Sequence, residues 1–375
     1  MSLSVVLAGG GTTGHVAPLL ALADCLVRRD PGTRITVLGT SEGLEAQLVP
    51  AAGYELRFVP RVPLPRRPTV DLLALPGKLG GAVGAAAATI RDVDADVVVG
   101  FGGYVASPAY LAAKRARVPI VVHESNARPG IANRLGARLT DHVGISFPGT
   151  PLPGATLVGM PLRRSITNLD RGALRAEALA AFGLEPGRRT LLVFGGSIGA
   201  QRLNLSFGAA APALARAGVQ VLHSTGRGKQ VGFPDGFDPA GPPAYREVEY
   251  LDRMDLAYAA ADLAACRAGA GTVSELSAIG LPAAYVPLPV GNGEQRLNAQ
   301  PVVDAGGGLV VDDAACTPDW VASSVVPLVA DAARLAAMGA AVAAFGIRDA
   351  DERLADLVEL ATGRAGAGVA GGGAA

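Results

Sequence analysis

Ala8-Gly9-Gly10-Gly11-Thr12-Thr13-Gly14-His15 follows the apolar run Leu3 to Leu7 and precedes a helical pattern that opens near Pro18 and runs through Leu19, Leu20, Leu22 and Leu26. A strand, a glycine turn and a helix in that order bring backbone N–H groups close to a ligand, because glycine accepts tight turns and puts no side chain in the way. The spacing is not Gly-x-Gly-x-x-Gly, and no Gly-Lys-Ser/Thr of a P-loop follows. The turn ends in a histidine, which exchanges a proton near neutral pH. Taken alone, the segment reads equally as a tight turn with a solvated histidine.

Leu191-Leu192-Val193-Phe194-Gly195-Gly196-Ser197-Ile198-Gly199-Ala200 repeats the arrangement half a chain later, with Leu203, Leu205 and Phe207 continuing as a helix. Two such openings predict two similar α/β halves. Between them, short apolar runs alternate with helix-length segments. Strands are expected at 3–8, 34–38, 56–59, 96–100, 119–123, 143–146 and 156–158. In the second half they are expected at 190–195, 219–223, 245–249, 262–266, 283–287 and 308–311. That alternation predicts two Rossmann-like, doubly wound parallel sheets with each glycine turn at a carboxyl edge, where ligands bind. The expected divisions are 1–161, 162–340, a helix at 341–361 packing back on the first half, and a disordered tail at 362–375.

Composition agrees. A chain of 375 residues exceeds one compact core, and 50% hydrophobic residues suffice for buried parallel strands. The 33 basic and 33 acidic residues balance, so no nucleic-acid partner is expected. Cys25, Cys266 and Cys316 show neither metal spacing nor a disulfide framework, which fits a reducing cytoplasm. No signal peptide and no membrane span is expected. The stretch 55–91 departs from the rest. Arg57, Arg61, Arg66, Arg67, Lys78 and Arg91 interleave there with Leu64, Leu72, Leu73, Leu75, Leu79 and Val83. It suits docking on an anionic bilayer, although from the segment alone a loop and a helix packed on the core is the more common arrangement.

Three further segments can carry chemistry. Val121-Val122-His123-Glu124-Ser125-Asn126 puts polar groups just past a strand. His123 and Glu124 can bond neighbouring loops instead, whereas Asn126 offers the donor and acceptor that a sugar or acetamido group needs. In Ala265-Cys266-Arg267-Ala268-Gly269-Ala270-Gly271-Thr272-Val273-Ser274-Glu275, small residues open a helix whose first N–H groups can hold a phosphate. Glu275 can accept from both hydroxyls of a ribose, or simply sit on a helix's first turn. Glu294, Gln295 and Asn298 can bind sugar hydroxyls or belong to a solvated loop, and Arg163 at the domain junction can meet a diphosphate or form a salt bridge.

In order and spacing these segments, together with Gly100-Phe101-Gly102-Gly103-Tyr104-Val105 and Gly293-Glu294-Gln295-Arg296-Leu297-Asn298-Ala299, resemble the MurG family of glycosyltransferases over roughly residues 3 to 360. The resemblance implies a GT-B fold, with two Rossmann-like domains facing across a cleft. It implies inverting transfer of N-acetylglucosamine from UDP-N-acetylglucosamine to the 4-hydroxyl of undecaprenyl-diphospho-N-acetylmuramyl-pentapeptide (lipid I to lipid II). His15 is the first choice for the base and Glu124 the second. Thr12, Thr13, Gly14, Asn126, Arg163, Ser197, Leu251, Ala270, Gly271, Thr272, Val273, Ser274, Glu275 and Gln295 are implied as UDP-sugar contacts, Leu251 through its backbone. No cofactor is implied, and no metal is needed where the helix start and Arg163 stabilise the diphosphate; no Asp-x-Asp is placed to hold one. The implied setting is peripheral, on the cytoplasmic face of the membrane, with cell-wall and division proteins as partners. Thr13, Met160, Ile198, Ala268 and Glu294 depart from the usual family pattern. A UDP-N-acetylglucosamine 2-epimerase, a glycolipid synthase of the same architecture and a non-catalytic UDP-sugar-binding protein are the other readings.

Overall fold

In the computed structural model the residues described are 2–62, 71–196, 199–290 and 292–364, with only the backbone of Thr13 and 71–76. The chain divides into two units, Met1–Arg163 with Asp349–Ala375, and Arg164–Arg348. Each is built on one sheet, and every strand pair in both is parallel.

The first sheet comprises β1 (Ser4–Gly9), β2 (Arg34–Gly39), β3 (Glu55–Phe58), β4 (Val97–Gly102), β5 (Ile120–Glu124), β6 (Val143–Ile145) and β7 (Ala155–Leu157), in the order β3-β2-β1-β4-β5-β6-β7. The second comprises β8 (Thr190–Phe194), β9 (Gln220–Ser224), β10 (Tyr245–Val248), β11 (Leu263–Cys266), β12 (Ala283–Tyr285) and β13 (Gly308–Val310), in the order β10-β9-β8-β11-β12-β13. All thirteen strands expected from the sequence are present, each within two residues at either end. In both sheets the winding direction reverses beside the first strand, between β1 and β4 and between β8 and β11. A reversal leaves a crevice at the carboxyl ends of the two strands, because their crossover helices depart to opposite faces. The two glycine turns of the sequence follow β1 and β8, so each lies at such a crevice.

Five helices of the first unit matter for the site: α1 (Thr13–Arg29), α2 (Glu45–Ala51), α3 (Asp71–Asp92), α4 (Gly103–Ala116) and α5 (Ile131–Gly136). The period-2 side-chain alternation of a strand divides the core. Val5 and Leu7 pack with Leu19, Leu22 and Leu26 of α1 on one face, while Val6 and Ala8 pack with Val83 and Ala86 of α3 and Ala109 and Tyr110 of α4 on the other. Leu79 and Val83, two of the apolar residues in the basic stretch, therefore pack against the core. Arg57 pairs with Glu55 at 2.6 Å, and Arg61 with Glu42 at 3.1 Å. Arg66, Arg67 and Leu64 lie outside the described residues, as do the side chains of Leu72, Leu73 and Leu75.

The expected helix at 341–361 is two helices. Ala332–Phe345 packs on Ala270–Ala278 in the second unit, and only Ala350–Ala361 returns to the first. Gly346, extended at φ −71 and ψ 134, ends the former. The returning helix buries Leu354, Ala355 and Val358 in the apolar cluster of α1, and charges flank the contact: Arg29 pairs with Glu352, Asp356 and Glu359, and Arg28 with Asp351. Residues 365–375 of the expected tail lie outside the described residues. Among the described residues no single helix is long and apolar enough to cross a membrane.

Candidate active site

The crevice of the first unit is shaped by two interlocked glycine turns. Gly11 after β1 has φ +89, and Gly102 and Gly103 at the end of β4 have φ +97 and +78. A Cβ on Gly103 would lie 2.6 Å from the Gly10 carbonyl oxygen, so the two turns can touch only as glycines. Thr12 caps α1 in an extended conformation, and its side chain makes no capping bond. The first N–H groups of α1, at Thr13 and Gly14, thus start a helix with no intrahelical acceptor of their own.

His15 stands half-buried in the first turn of α1. Its Nδ1 lies 3.1 Å from the Gly10 carbonyl and 3.3 Å from Thr12 Oγ1. A carbonyl only accepts, so Nδ1 carries the proton and donates it, which leaves Nε2 with its lone pair. Burial lowers the His15 pKa; the Gly10 carbonyl and the charges of Glu124 and Glu45 oppose that shift without reversing it. The ring is therefore neutral at pH 7, with the acceptor nitrogen presented: the form a general base requires.

Glu124 is arranged differently. Its Oε1 accepts from the Asn126 backbone N–H at 2.9 Å, and Oε2 from the Gly130 N–H at 2.9 Å and Asn133 Nδ2 at 3.0 Å. Both oxygens are used in holding the 125–133 loop, so of the two candidate bases the geometry favours His15. His123 is structural: fully buried, with Nε2 2.9 Å from the Gly159 carbonyl and its pKa lowered to about 4 by burial. Asn126 sits half-buried at the head of the loop.

Three polar groups here escaped the sequence reading. Asn133 bridges Tyr110 Oη (2.8 Å), the His123 carbonyl and Glu124. Tyr110 in turn fills the space that Gly100 and Gly136 leave open. Glu45 is wholly buried against the β1 turn. Each lies far along the chain from what it touches, and a Glu on the first turn of a helix carries no sign of it.

The second unit holds a matching crevice. Gly199 (φ +67) could not carry a side chain, since a Cβ there would lie 2.0 Å from the Thr225 carbonyl. Ser197 and Ile198 lie outside the described residues. After β11, the loop Arg267–Gly269 leads into the helix Ala270–Ala278, whose cap residue Gly269 offers no side chain. The N–H groups of Ala270, Gly271 and Thr272 thus start a helix without an intrahelical acceptor, next to a positive dipole end. Val273 is buried, while Thr272, Ser274 and Glu275 are half-exposed. Glu275 Oε2 accepts from Tyr258 Oη at 2.7 Å, which fixes the carboxylate. Gln295 Oε1 accepts from the Ala268 and Leu288 N–H groups at 3.1 and 3.0 Å, so its amide nitrogen is the end left to donate to a ligand. Asn298, also expected to bind sugar, is buried and donates to the Ala268 carbonyl at 3.3 Å, which makes it part of the frame. Arg267, not singled out from the sequence, pairs with Asp313 at 2.6 Å and donates to the Val286 and Pro287 carbonyls, which ties the loop to the end of β12. Leu251 is buried just past β10, and Arg163 is exposed at the end of the first unit.

Asp-x-Asp spacings do occur, at Asp92-Val93-Asp94-Ala95-Asp96 and Asp349-Ala350-Asp351. Asp96 accepts from the Ser4 N–H at 2.8 Å, at the amino edge of the sheet and away from the glycine turns. Asp351 is bound to Arg28. Neither motif stands at a crevice.

Two parallel α/β units, each with a glycine turn at its switch point, define the GT-B class of glycosyltransferase folds. Residues 5–145 match the glycosyltransferase family 28 N-terminal domain, and residues 190–354 the family 28 C-terminal domain. A Streptomyces avermitilis protein named UDP-N-acetylglucosamine–N-acetylmuramyl-(pentapeptide) pyrophosphoryl-undecaprenol N-acetylglucosamine transferase is 59% identical over 95% of this chain and 98% of its own length. One of the same name from Mycolicibacterium smegmatis is 57% identical, over 95% and 93%. The crystal structure of Acinetobacter baumannii MurG superposes with a TM-score of 0.78 at 26% identity, covering 96% of this chain and 99% of that one. A Neisseria meningitidis UDP-GlcNAc 2-epimerase reaches 0.66 at 13% identity over 96% and 99%, a likeness of fold alone. The chain belongs to glycosyltransferase family 28 and, within it, to the MurG family of hexosyltransferases.

Proposed function

We propose that this chain transfers N-acetylglucosamine from UDP-N-acetylglucosamine to the 4-hydroxyl of undecaprenyl-diphospho-N-acetylmuramyl-pentapeptide, converting lipid I to lipid II with inversion. Family membership supports the substrates. The observation that carries the chemistry is the neutral His15, with Nδ1–H spent on the Gly10 carbonyl and Nε2 left to take a proton. In the step proposed, the acceptor O4–H proton passes to Nε2 as the O4–C1 bond forms. The C1–oxygen bond to the diphosphate breaks on the opposite side, and UDP leaves with the electron pair. The start of the helix Ala270–Ala278, with Arg163, stabilises the diphosphate charge. Glu275 holds the ribose, the backbone at Leu251 meets the uracil, and Gln295, Asn126, Ser197 and the Thr12–Gly14 turn contact the rest of the donor.

The test is transfer of labelled sugar to a short-chain lipid I analogue, with and without EDTA. Transfer that survives EDTA is the expected result. Turnover of UDP-N-acetylglucosamine without any lipid acceptor would favour an epimerase, and donor binding with no turnover in either assay would favour a sugar-nucleotide-binding protein.

The acceptor is a lipid, so we place the enzyme peripherally on the cytoplasmic face of the membrane, where cell-wall and division proteins would take up its product. The basic stretch 55–91 supplies the proposed docking surface, supported by exposed Lys78 and Arg91 and by Phe58, which is 57% exposed. Arg57 and Arg61 are partly neutralised by acids, and Arg66 and Arg67 add charge to the stretch in sequence. Replacing Arg61, Arg66 and Arg67 with Glu is expected to release the protein from anionic vesicles in a sedimentation assay. Equal partitioning of mutant and parent would return the stretch to a purely structural role.

A further inference from the structure

We infer that Glu45 is a positioning residue for His15, acting through the single peptide unit that joins Gly10 to Gly11. The inference rests on the reading of His15 as the base. The two ends of that peptide are held from opposite sides. Its carbonyl, on Gly10, accepts from His15 Nδ1 at 3.1 Å, and its N–H, on Gly11, donates to Glu45 Oε2 at 2.8 Å. A peptide unit is planar, so fixing the N–H direction fixes the carbonyl direction. A carboxylate drawing on the N–H also polarises the carbonyl, which strengthens the bond it accepts.

Glu45 is built into this place. It is 0% exposed, and its Oε1 accepts from the Thr40 N–H and Thr40 Oγ1, both at 2.8 Å. Three glycines make room for it: a Cβ on Gly10, Gly39 or Gly43 would lie 2.3, 2.6 or 2.1 Å from its side-chain atoms. Burial pushes its carboxyl pKa up, but the donors from Gly11 and Thr40 outweigh burial and the net shift is downward, so it is ionised at neutral pH. A buried charge that serves only to tie α2 to the sheet is an expensive choice, since an amide or an apolar side chain would do. A charge is needed if what it does is hold a peptide dipole and favour a protonated neighbour. Near the ring lie Glu124 at the end of β5, Glu45 of α2, and the uncharged Gly102 backbone and Asn133 of α5.

Glu45→Gln keeps the size but removes the charge and turns an N–H2 toward the Gly11 N–H. The His15 imidazole, followed by NMR, is then expected to titrate at a lower pH than in the parent, because one of the two carboxylates favouring its charged form is gone, and to lose its preference for a protonated Nδ1. The acid limb of kcat/KM moves the same way. A fall in kcat on the order of 10- to 100-fold is expected, the range that a small misplacement of a reacting group produces, with the KM for UDP-N-acetylglucosamine unchanged. Thr40→Val, which keeps the carboxylate, leaves the imidazole titration as in the parent. If Glu45→Gln does not fold, the parent alone decides: the Gly11 amide proton must shift in step with His15 protonation. An imidazole titration and tautomer unaltered in Glu45→Gln, or a Gly11 amide that ignores His15, overturns the inference. An altered imidazole with unaltered turnover leaves the coupling standing and removes His15 from the role of base instead.

Discussion

His15→Ala is expected to lower kcat by about 10²-fold or more, the contribution usual for a positioned general base, while leaving the affinity for UDP-N-acetylglucosamine close to that of the parent. The two parts of the expectation have different origins. The imidazole projects from the first unit, and the groups proposed to grip the nucleotide belong largely to the second. Truncating the ring removes a proton acceptor needed only as the acceptor oxygen attacks, and interactions made only in the transition state appear in kcat rather than in binding. The pH dependence follows from the same geometry. Burial lowers the His15 pKa, so the neutral, reactive form persists below the ordinary histidine range, and the acid limb of kcat/KM should inflect below pH 6.5. In His15→Ala that inflection should vanish. Parent-like turnover, or an acid limb that survives the substitution, would assign the proton transfer elsewhere. Glu124 would be the next group to test, although its oxygens already accept from Asn126, Gly130 and Asn133.

Much of the fold that frames this candidate site could be read in the chain. The strands were legible because buried parallel strands are short runs of Val, Ile, Leu and Ala bounded by glycine, and the glycines of the two turns mark where the chain comes too close for a side chain (Gly9, Gly10, Gly195, Gly199) or turns through positive φ (Gly11, Gly196). Local signals end there. Glu45, Asn133, Tyr258 and Arg267 act on partners that reach them only through the fold, and each sits in a helix or loop where its residue type is unremarkable. The converse has the same cause. Asn298 offers sugar-binding groups and Glu124 a second choice of base, yet the fold engages both: Asn298 with the Ala268 carbonyl, and Glu124 with the Asn126 and Gly130 N–H groups and the Asn133 amide. Sequence shows which chemistry a residue can offer, whereas hydrogen-bond accounting in the fold shows which of it remains for a ligand. The returning helix was misjudged by nine residues for a related reason. Its composition continues smoothly from the helix before it, and only the extended Gly346 and the acids paired with Arg28 and Arg29 separate the two.

Glu275→Ala carries the second large expected effect, and it falls on the other side of the reaction. The carboxylate is already oriented by Tyr258 Oη at 2.7 Å on Oε2, so it meets a ribose without first losing rotamer freedom. Hydrogen bonds to a charged group contribute roughly 1.5–3 kcal/mol each, so removing the carboxylate should raise the KM for UDP-N-acetylglucosamine on the order of 10- to 100-fold, with kcat reduced much less. The ribose assignment has a sharper test than affinity alone. The parent should bind UDP more tightly than 2′-deoxy-UDP, and Glu275→Ala should bind the two alike, because the hydroxyl has lost its acceptor; the difference between the two ratios is the coupling energy of that contact. Tyr258→Phe should show a weaker form of the same pattern, since the carboxylate remains but loses the Tyr258 hydroxyl. If Glu275→Ala still prefers UDP over the deoxy analogue by the parent's margin, the carboxylate does not read the ribose. It would then be a second-turn acid whose partner is Tyr258, and the nucleotide would have to be oriented by the helix N–H groups and Gln295 without it.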